Sequence, residues 1–494
     1  MRIRNYESLI NHGHTKGRRI IADIIEAGLS AANPYTNVSS LIRLEGSRLI
    51  FDNPKMIPEG APYSGPQVYD LDEIDRVYVF GIGKGIQYLI KPIEELIGDR
   101  ITDSLVLAKH GDDVILEQIS VMLGGHPIPD EYCIEGMQRI LDIIRNAKLT
   151  KNDLVITAMG NGIGSLCTLP VEGITVEEIR DYTYMCQIDY GISTDELNYI
   201  RNSIDRIRGG RYCREIHPAR MVNLMGVGPN GRGRDLGYTG YEGLMYCNFW
   251  MHCLPDCTTP EAGIAIAKKW GVFDKLPLSI RNALLNPDTD NLVVTYDEYK
   301  NFDSVIFGVM PEGMSALNAA REKAKEYGFA THLLTQATLT EASVVGHFAA
   351  QVALTCDHVG EPFKAPCAIF ATGELLTTVQ GEAGVGGTNQ EYCLAASLLI
   401  KNNKNIVMAA VDTDGTDGPG GYISEDAELK GINVLTGGIV DGQTAITAEE
   451  KGIDIFEAIK THNSSRALWS LDSGIAAVQS ISVGDLHCTL IFDD

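Results

Sequence analysis

The sequence predicts an α/β protein with a large doubly wound parallel-sheet N-terminal domain and a smaller α/β C-terminal domain. Three observations predict it. Short runs rich in Val, Ile and Leu alternate with stretches of helical periodicity, and several of those runs stop at glycine. That alternation is the pattern of a parallel sheet with helices on both faces. The chain has 494 residues, room for two or three domains, and 44% hydrophobic residues, enough for a large core.

The elements follow in order. Tyr6 to Ala32 carries apolar residues at helical spacing. Val77 to Phe80 is an apolar run ending at Gly81, and Ile86 to Ile97 has a helix pattern, which together form a strand–turn–helix unit. Ser104 to Ala108, Ile119 to Leu123 and Leu154 to Ala158 are further strands, with a helix from Tyr132 to Arg145. From Asp181 the chain reads as helical to about Arg211, and Val222 to Val227 is another strand. The polar stretch from Asn286 to Asn301 sets the boundary, giving domains 1–295 and 296–494. The second domain reads as Ser304 to Val309 (strand), Met314 to Tyr327 (helix), Ala330 to Leu334 (strand) and Glu341 to Thr355 (helix). It continues through strand Cys367 to Ala371, helix Glu391 to Ile400, strand Ile406 to Val411 and a closing strand, Leu486 to Phe492.

The net charge of −24 argues against nucleic acid as the main partner, because phosphate-backbone binding needs a basic face. No run reaches about 18 apolar residues, so no membrane span is expected. The N-terminus carries no secretory pattern, and the expected location is the cytoplasm. The 11 cysteines are irregularly spaced and read as reduced core residues. Cys253 and Cys257 beside His252 invite a zinc reading, but no second pair follows at the needed spacing.

Five segments have the makings of chemistry. Gly81-Ile82-Gly83-Lys84-Gly85 follows a strand and opens a helix; its glycines let backbone N–H groups approach an anion, and Lys84 adds a charge. Gly160-Asn161-Gly162-Ile163-Gly164-Ser165 repeats the arrangement after the strand Leu154 to Ala158. Asn198, Arg201 and Arg208 are expected on one helical face, where guanidinium groups suit carboxylate or phosphate. Asp412, Asp414 and Asp417 lie within six residues, and crowded carboxylates of that kind suit Mg²⁺. Gly386, Gly387, Asn389 and Glu391 form a glycine-rich helix entry. His126, between Gly125 and Pro127, is a further candidate contact.

Together these segments resemble the class II glycerate kinases, the glycerate 2-kinase or MOFRL family. The resemblance runs in order from about Tyr6 to Asp494. It rests on GIGKG at Gly81, GGHPIPD at Gly124, NYIRNSIDRIRGGR at Asn198, GGTNQE at Gly386 and DTDGTDGP at Asp412. It implies a Rossmann-like N-terminal domain, a MOFRL-type C-terminal domain and a site in the cleft between them. It also implies ATP-dependent, Mg²⁺-assisted phosphoryl transfer to a hydroxyl of D-glycerate or a related sugar acid. Lys84, Arg201 and Asp414 are then the catalytic candidates. Gly81, Gly83, Gly160, Gly162, Ser165, Gly386, Gly387, Asn389 and Asp417 would bind the nucleotide. His126, Asn198, Arg208 and Glu391 would bind substrate, and Asp412 and Asp414 the metal. The expected partners are a small-molecule sugar acid and the nucleotide, with a homodimer as the assembly allowed for.

The chain departs from the family pattern at four places. The family's GGRNQE has Thr388 here in place of its arginine, and the loops at Met159–Leu166, Gly226–Gly231 and Ala477–Leu486 differ. Arg232 and Arg234 are candidates to supply the missing charge. The departures motivate two alternatives: a diverged enzyme with non-kinase chemistry on a hydroxy or keto acid, and a non-catalytic ligand-binding protein.

Overall fold

The computed structural model describes residues 1–229, 240–310, 316–379, 384–418, 435–481 and 484–493. The chain forms two compact units, Pro34–Pro311 and Met1–Asn33 with Glu312–Asp494.

The first unit begins with an antiparallel meander, β1 (Ile42–Glu45), β2 (Arg48–Phe51) and β3 (Gln67–Asp70). Its main sheet is fully parallel. The strands are β4 (Val77–Ile82), β5 (Ile101–Lys109), β6 (Val121–Gly124), β7 (Leu154–Met159), β8 (Arg220–Met225) and β9 (Ser304–Gly308), in the order β6-β5-β4-β7-β8-β9. Strands β4 and β7 are buried along their whole length, which is why they read as unbroken apolar runs. The helix Glu131–Ala147 buries Met137, Ile140, Leu141 and Ile144 in the same core as Phe80, Leu105 and Met159. The strand order reverses direction at β4, so β4 and β7 flank the switch point where such sheets bind ligands.

The second unit carries a mixed sheet of β10 (Ala330–Thr338), β11 (Cys367–Gly373), β12 (Ile406–Asp412), β13 (Leu435–Asp441), β14 (Gly474–Ala476) and β15 (Asp485–Ile491), ordered β10-β11-β15-β12-β13-β14. Only β10 and β11 run parallel; the closing strand β15 lies between β11 and β12, antiparallel to both. The helix Thr15–Ala31 packs on β12, β13 and β15 and buries Ile20, Ile21, Ile24, Ile25 and Leu29.

Several expectations need correction. Residues 1–33 fold with the C-terminal unit, because the apolar face of that helix finds its cover on the mixed sheet. Ser304–Gly308 does not start the second domain; it pairs with β8 as the last strand of the parallel sheet. The helix expected over Tyr6–Ala32 is two helices, Tyr6–Ile10 and Thr15–Ala31, separated by Gly13 at a φ of +56°. The continuous helix expected from Asp181 to Arg211 is broken. Val176–Tyr184 and Thr194–Ser203 are helical, and a turn follows with Gly209 and Gly210 at φ +63° and +79°. Arg201 and Arg208 therefore do not share one helical face. The expected helix from Met314 is Ala316–Glu326, and residues 314–315 lie outside the described residues.

Candidate functional site

In the first unit the C-terminal ends of β4 and β7 are stitched together by their glycine turns. Gly160 N–H donates to Ile82 O at 2.8 Å, and Lys84 N–H to Asn161 O at 2.7 Å. A side chain on Gly83 would meet the backbone of Gly160 at 2.7 Å, so both turns need glycine to lie this close. Four side chains surround the 160–164 turn. A Cβ on Gly162 would lie 2.7 Å from the His126 ring and 3.0 Å from Lys84 Cγ. One on Gly164 would lie 3.1 Å from Arg201 Nη1 and 3.7 Å from Asn198 Oδ1. Asn198 and Arg201 reach it from the helix Thr194–Ser203, whose start is capped by Ser193. Thus Lys84, His126, Asn198 and Arg201, which lie far apart in sequence, converge.

The electrostatics of this cluster are cationic. Burial, followed by the charges of Lys84, Lys109 and Arg201, holds His126 well below the ordinary histidine range, so the ring is neutral at pH 7. Burial lowers Arg201 to about 10, and it stays charged. Asn161 Oδ1 and Asn198 Oδ1 are buried acceptor oxygens with no hydrogen-bond partner. Cations beside unused acceptors suit a ligand that carries both a negative group and hydroxyl hydrogens.

The other predicted residues of this unit serve the scaffold. Ser165 Oγ donates to Gly125 O at 2.9 Å. Arg208 turns inward: Nε donates to Cys167 O at 2.5 Å, and Nη2 to Gly164 O at 2.8 Å and Thr168 Oγ1 at 2.6 Å. It braces the turn from below, which differs from the substrate-facing place its spacing suggested.

In the second unit the acidic turn packs against the start of the helix Thr388–Leu399. Asp417 is buried and accepts from Asn389 N at 3.1 Å, Gln390 N at 2.9 Å and Thr388 Oγ1 at 3.1 Å. Its carboxylate thus fills the helix N-terminus, the place an anion would otherwise take. Asp414 Oδ1 accepts from Thr416 N and Oγ1, both at 2.7 Å. Asp412 is the register partner of Asp485 across β12 and β15. Asp485 accepts from Asn389 Nδ2 at 2.7 Å and Leu375 N at 2.6 Å. Burial and then the charge of Asp412 push it well above the usual carboxylate range. Glu391 pairs with His462 at 2.8 Å. Among the described residues no group of three or more His, Cys, Asp and Glu has the arrangement of a complete metal site.

Comparison with known proteins fits this geometry. Residues 20–226 match the domain of unknown function DUF4147, and residues 367–481 match the MOFRL family. The chain is 29% identical to the D-glycerate 2-kinase of Thermotoga maritima, over 80% of this chain and 85% of that protein. It is 28% identical to the glycerate 2-kinase of Pyrococcus horikoshii, over 91% and 92% respectively. The crystal structure of the Thermotoga maritima glycerate kinase superposes with a TM-score of 0.66 and 26% identity, covering 95% of this chain and 98% of that one. The chain thus carries a DUF4147 match and a MOFRL match in one sequence and is similar to glycerate 2-kinases over most of its length.

Thr388 opens the helix that Asp417 caps, and its hydroxyl joins that cap. Gly386 and Gly387 are there because space is short: a side chain on Gly387 would meet Asp417 O at 2.2 Å. Arg232 and Arg234 lie outside the described residues. Lys109 and Asp485 were not singled out from the sequence, and Asn161 was named only as part of its glycine turn. Lys109 looks like the end of an ordinary strand, Asn161 like loop filler, and Asp485 like one acid among many. Only the strand register, which brings Asp485 opposite Asp412, distinguishes it. Of the cysteines, all are buried except Cys247 and Cys257.

Proposed function

We propose that the protein transfers the γ-phosphoryl group of ATP to a hydroxyl of D-glycerate or a closely related small sugar acid. The observation that carries the reading is the cationic cluster of Lys84, Lys109 and Arg201 at the carboxyl ends of β4 and β5, beside the orphaned oxygens of Asn161 and Asn198, in a chain of net charge −24. Arg201 and Lys84 bind negative groups, the acid's carboxylate and the incoming phosphoryl oxygens. Asn161 Oδ1 and Asn198 Oδ1 accept from its hydroxyls, which orients the attacking oxygen. Lys84 stabilises charge on the phosphoryl group in transit, the main task of a protein in this reaction. Neutral His126 adds a hydrogen bond without adding charge.

The acidic turn suits the cation that accompanies a nucleotide. Mg²⁺ takes one or two protein carboxylates, with phosphates and water as the rest. Asp412 is the group that would hold it, because its close neighbour Asp485 keeps a proton or needs a cation nearby. Asp412 Oδ1 accepts from Asp414 N at 3.1 Å, Asp414 Oδ1 from Thr416, and Asp417 from the start of the helix Thr388–Leu399. Mg²⁺ would supply charge neutralisation on the phosphates.

The test is a coupled assay with ATP, Mg²⁺ and D-glycerate on the full chain. Lys84→Ala is expected to lower kcat by about a thousandfold with an unchanged melting temperature. Turnover that survives Lys84→Ala, or binding of the acid with no turnover in the wild type, overturns this reading.

A further inference from the structure

Beneath the 164–168 turn lies a small cavity walled by Gly164, Thr168, Tyr182, Arg201, Asp205 and Arg208. Its volume is about 10 Å³, room for one water-sized particle. The five side chains in that wall are each at most 5% exposed. Two polar atoms there lack any partner: Tyr182 Oη and Arg208 Nη1. A buried polar atom without a partner is rare enough to demand an occupant.

The chemistry of the wall selects the occupant. Thr168 Oγ1 donates to Ser165 O at 2.6 Å and accepts from Arg208 Nη2 at 2.6 Å. The Asp205 carboxylate accepts from the N–H groups of Leu169, Ile207 and Arg208. Those acceptors are engaged, and the two unpartnered groups are a guanidinium N–H, which only donates, and a phenol, which donates its O–H and can also accept on its oxygen. A water would accept from Arg208 Nη1 and donate one hydrogen to the Tyr182 oxygen, with its second hydrogen still to place. A monoatomic anion needs donors alone.

Charge decides between the two. Arg208 pairs with Asp205 at 3.4 Å, whereas Arg201 donates to the neutral amide of Gln187 at 2.9 Å and has no carboxylate partner among the described residues. One buried positive charge is left without a counter-ion, an arrangement that proteins avoid. We propose that this cavity binds a monovalent halide, chloride in solution, held by Arg208 Nη1 and Tyr182 Oη and compensating Arg201. The site goes beyond the kinase reading: the halide compensates Arg201 from below the turn in the protein without substrate, and detecting it does not require the acid that the kinase reading places on Arg201 above.

Bromide is the probe, because it substitutes for chloride and scatters anomalously. Crystals of the full chain soaked in sodium bromide are expected to show an anomalous peak between Tyr182 Oη and Arg208 Nη1. In solution, the melting temperature is expected to rise with the logarithm of chloride or bromide concentration. Sodium methanesulfonate at matched ionic strength is the reference, and the slope is roughly 3 °C per tenfold once the site is being filled. Tyr182→Phe keeps the ring and removes one donor, so it should flatten that slope; Arg208 is left untouched because it also braces the turn. Electron density for a water with no anomalous signal, a melting temperature indifferent to halide, or a full slope in Tyr182→Phe each overturns the proposal. None of these readouts involves turnover, so failure here is separable from failure of the kinase reading.

Discussion

Replacing Asp417 by alanine separates a structural from a ligand-binding role for the acidic turn. Its carboxylate accepts from Asn389 N, Gln390 N, Thr388 Oγ1 and Asn389 Nδ2 at 2.9–3.3 Å, and the residue is 2% exposed. Removal strips two buried backbone N–H groups of their acceptor at the first turn of the helix Thr388–Leu399. Each orphaned donor costs about 1–3 kcal/mol, and water entering the vacated space returns part of it. The expected loss is about 3–5 kcal/mol, above the ordinary range for an N-cap because the site is buried. For a unit of this size that corresponds to a fall of roughly 6–20 °C in Tm. Differential scanning calorimetry reads it directly, and Asp417→Asn, which keeps one acceptor oxygen, should fall in between. A shift under about 2 °C in Asp417→Ala, combined with a raised KM for ATP, would refute the structural account and return Asp417 to the nucleotide.

His487 is buried in the mixed sheet, stacks on Tyr392 at 4.8 Å and has no partner on either ring nitrogen. Burial lowers it to about 3. The unfolded chain binds this proton near pH 6.5 and the folded one does not, so stability from this group is present above about pH 6.5 and lost progressively down to about pH 3. Between pH 7 and pH 5 the loss is about 2 kcal/mol, and His487→Phe should remove that part of the slope in urea titrations run at both pH values. Thr388→Arg restores a guanidinium at the helix entry and is expected to raise kcat by about tenfold or more; an unchanged kcat would mean that the charge comes from elsewhere.

The parallel sheet was legible because its strands are buried on both faces: β4 and β7 read as unbroken apolar runs closed by glycine. The meander of β1, β2 and β3 was not, because its strands are four residues long and mostly polar or half-exposed. Helical spacing wrongly joined Arg201 to Arg208, since periodicity carries no record of the helix ending at Ser203, between the two arginines. Strand direction in the second sheet is set by long connections, so the place of β15 between β11 and β12, and with it the meeting of Asp412 and Asp485, is a tertiary fact. Lys84, His126, Asn198 and Arg201 could be named from sequence, but their convergence on one turn could not.

The return of residues 1–33 to the C-terminal unit sets a timetable for the newborn chain. Arg18 is buried, and its guanidinium is received by Asp441, 423 residues later, together with Thr444 and Ser473. A ribosome adding about 5–20 residues per second reaches that partner roughly 20–85 s after Arg18 is made. The unit from Pro34 to Pro311 has its whole sheet in hand long before then and can close while synthesis continues. Through that interval the isoleucine-rich face of the helix Thr15–Ala31 and a lone arginine wait without cover. That stretch is where a nascent-chain chaperone would find its longest opportunity, and where a stalled or truncated product would first aggregate.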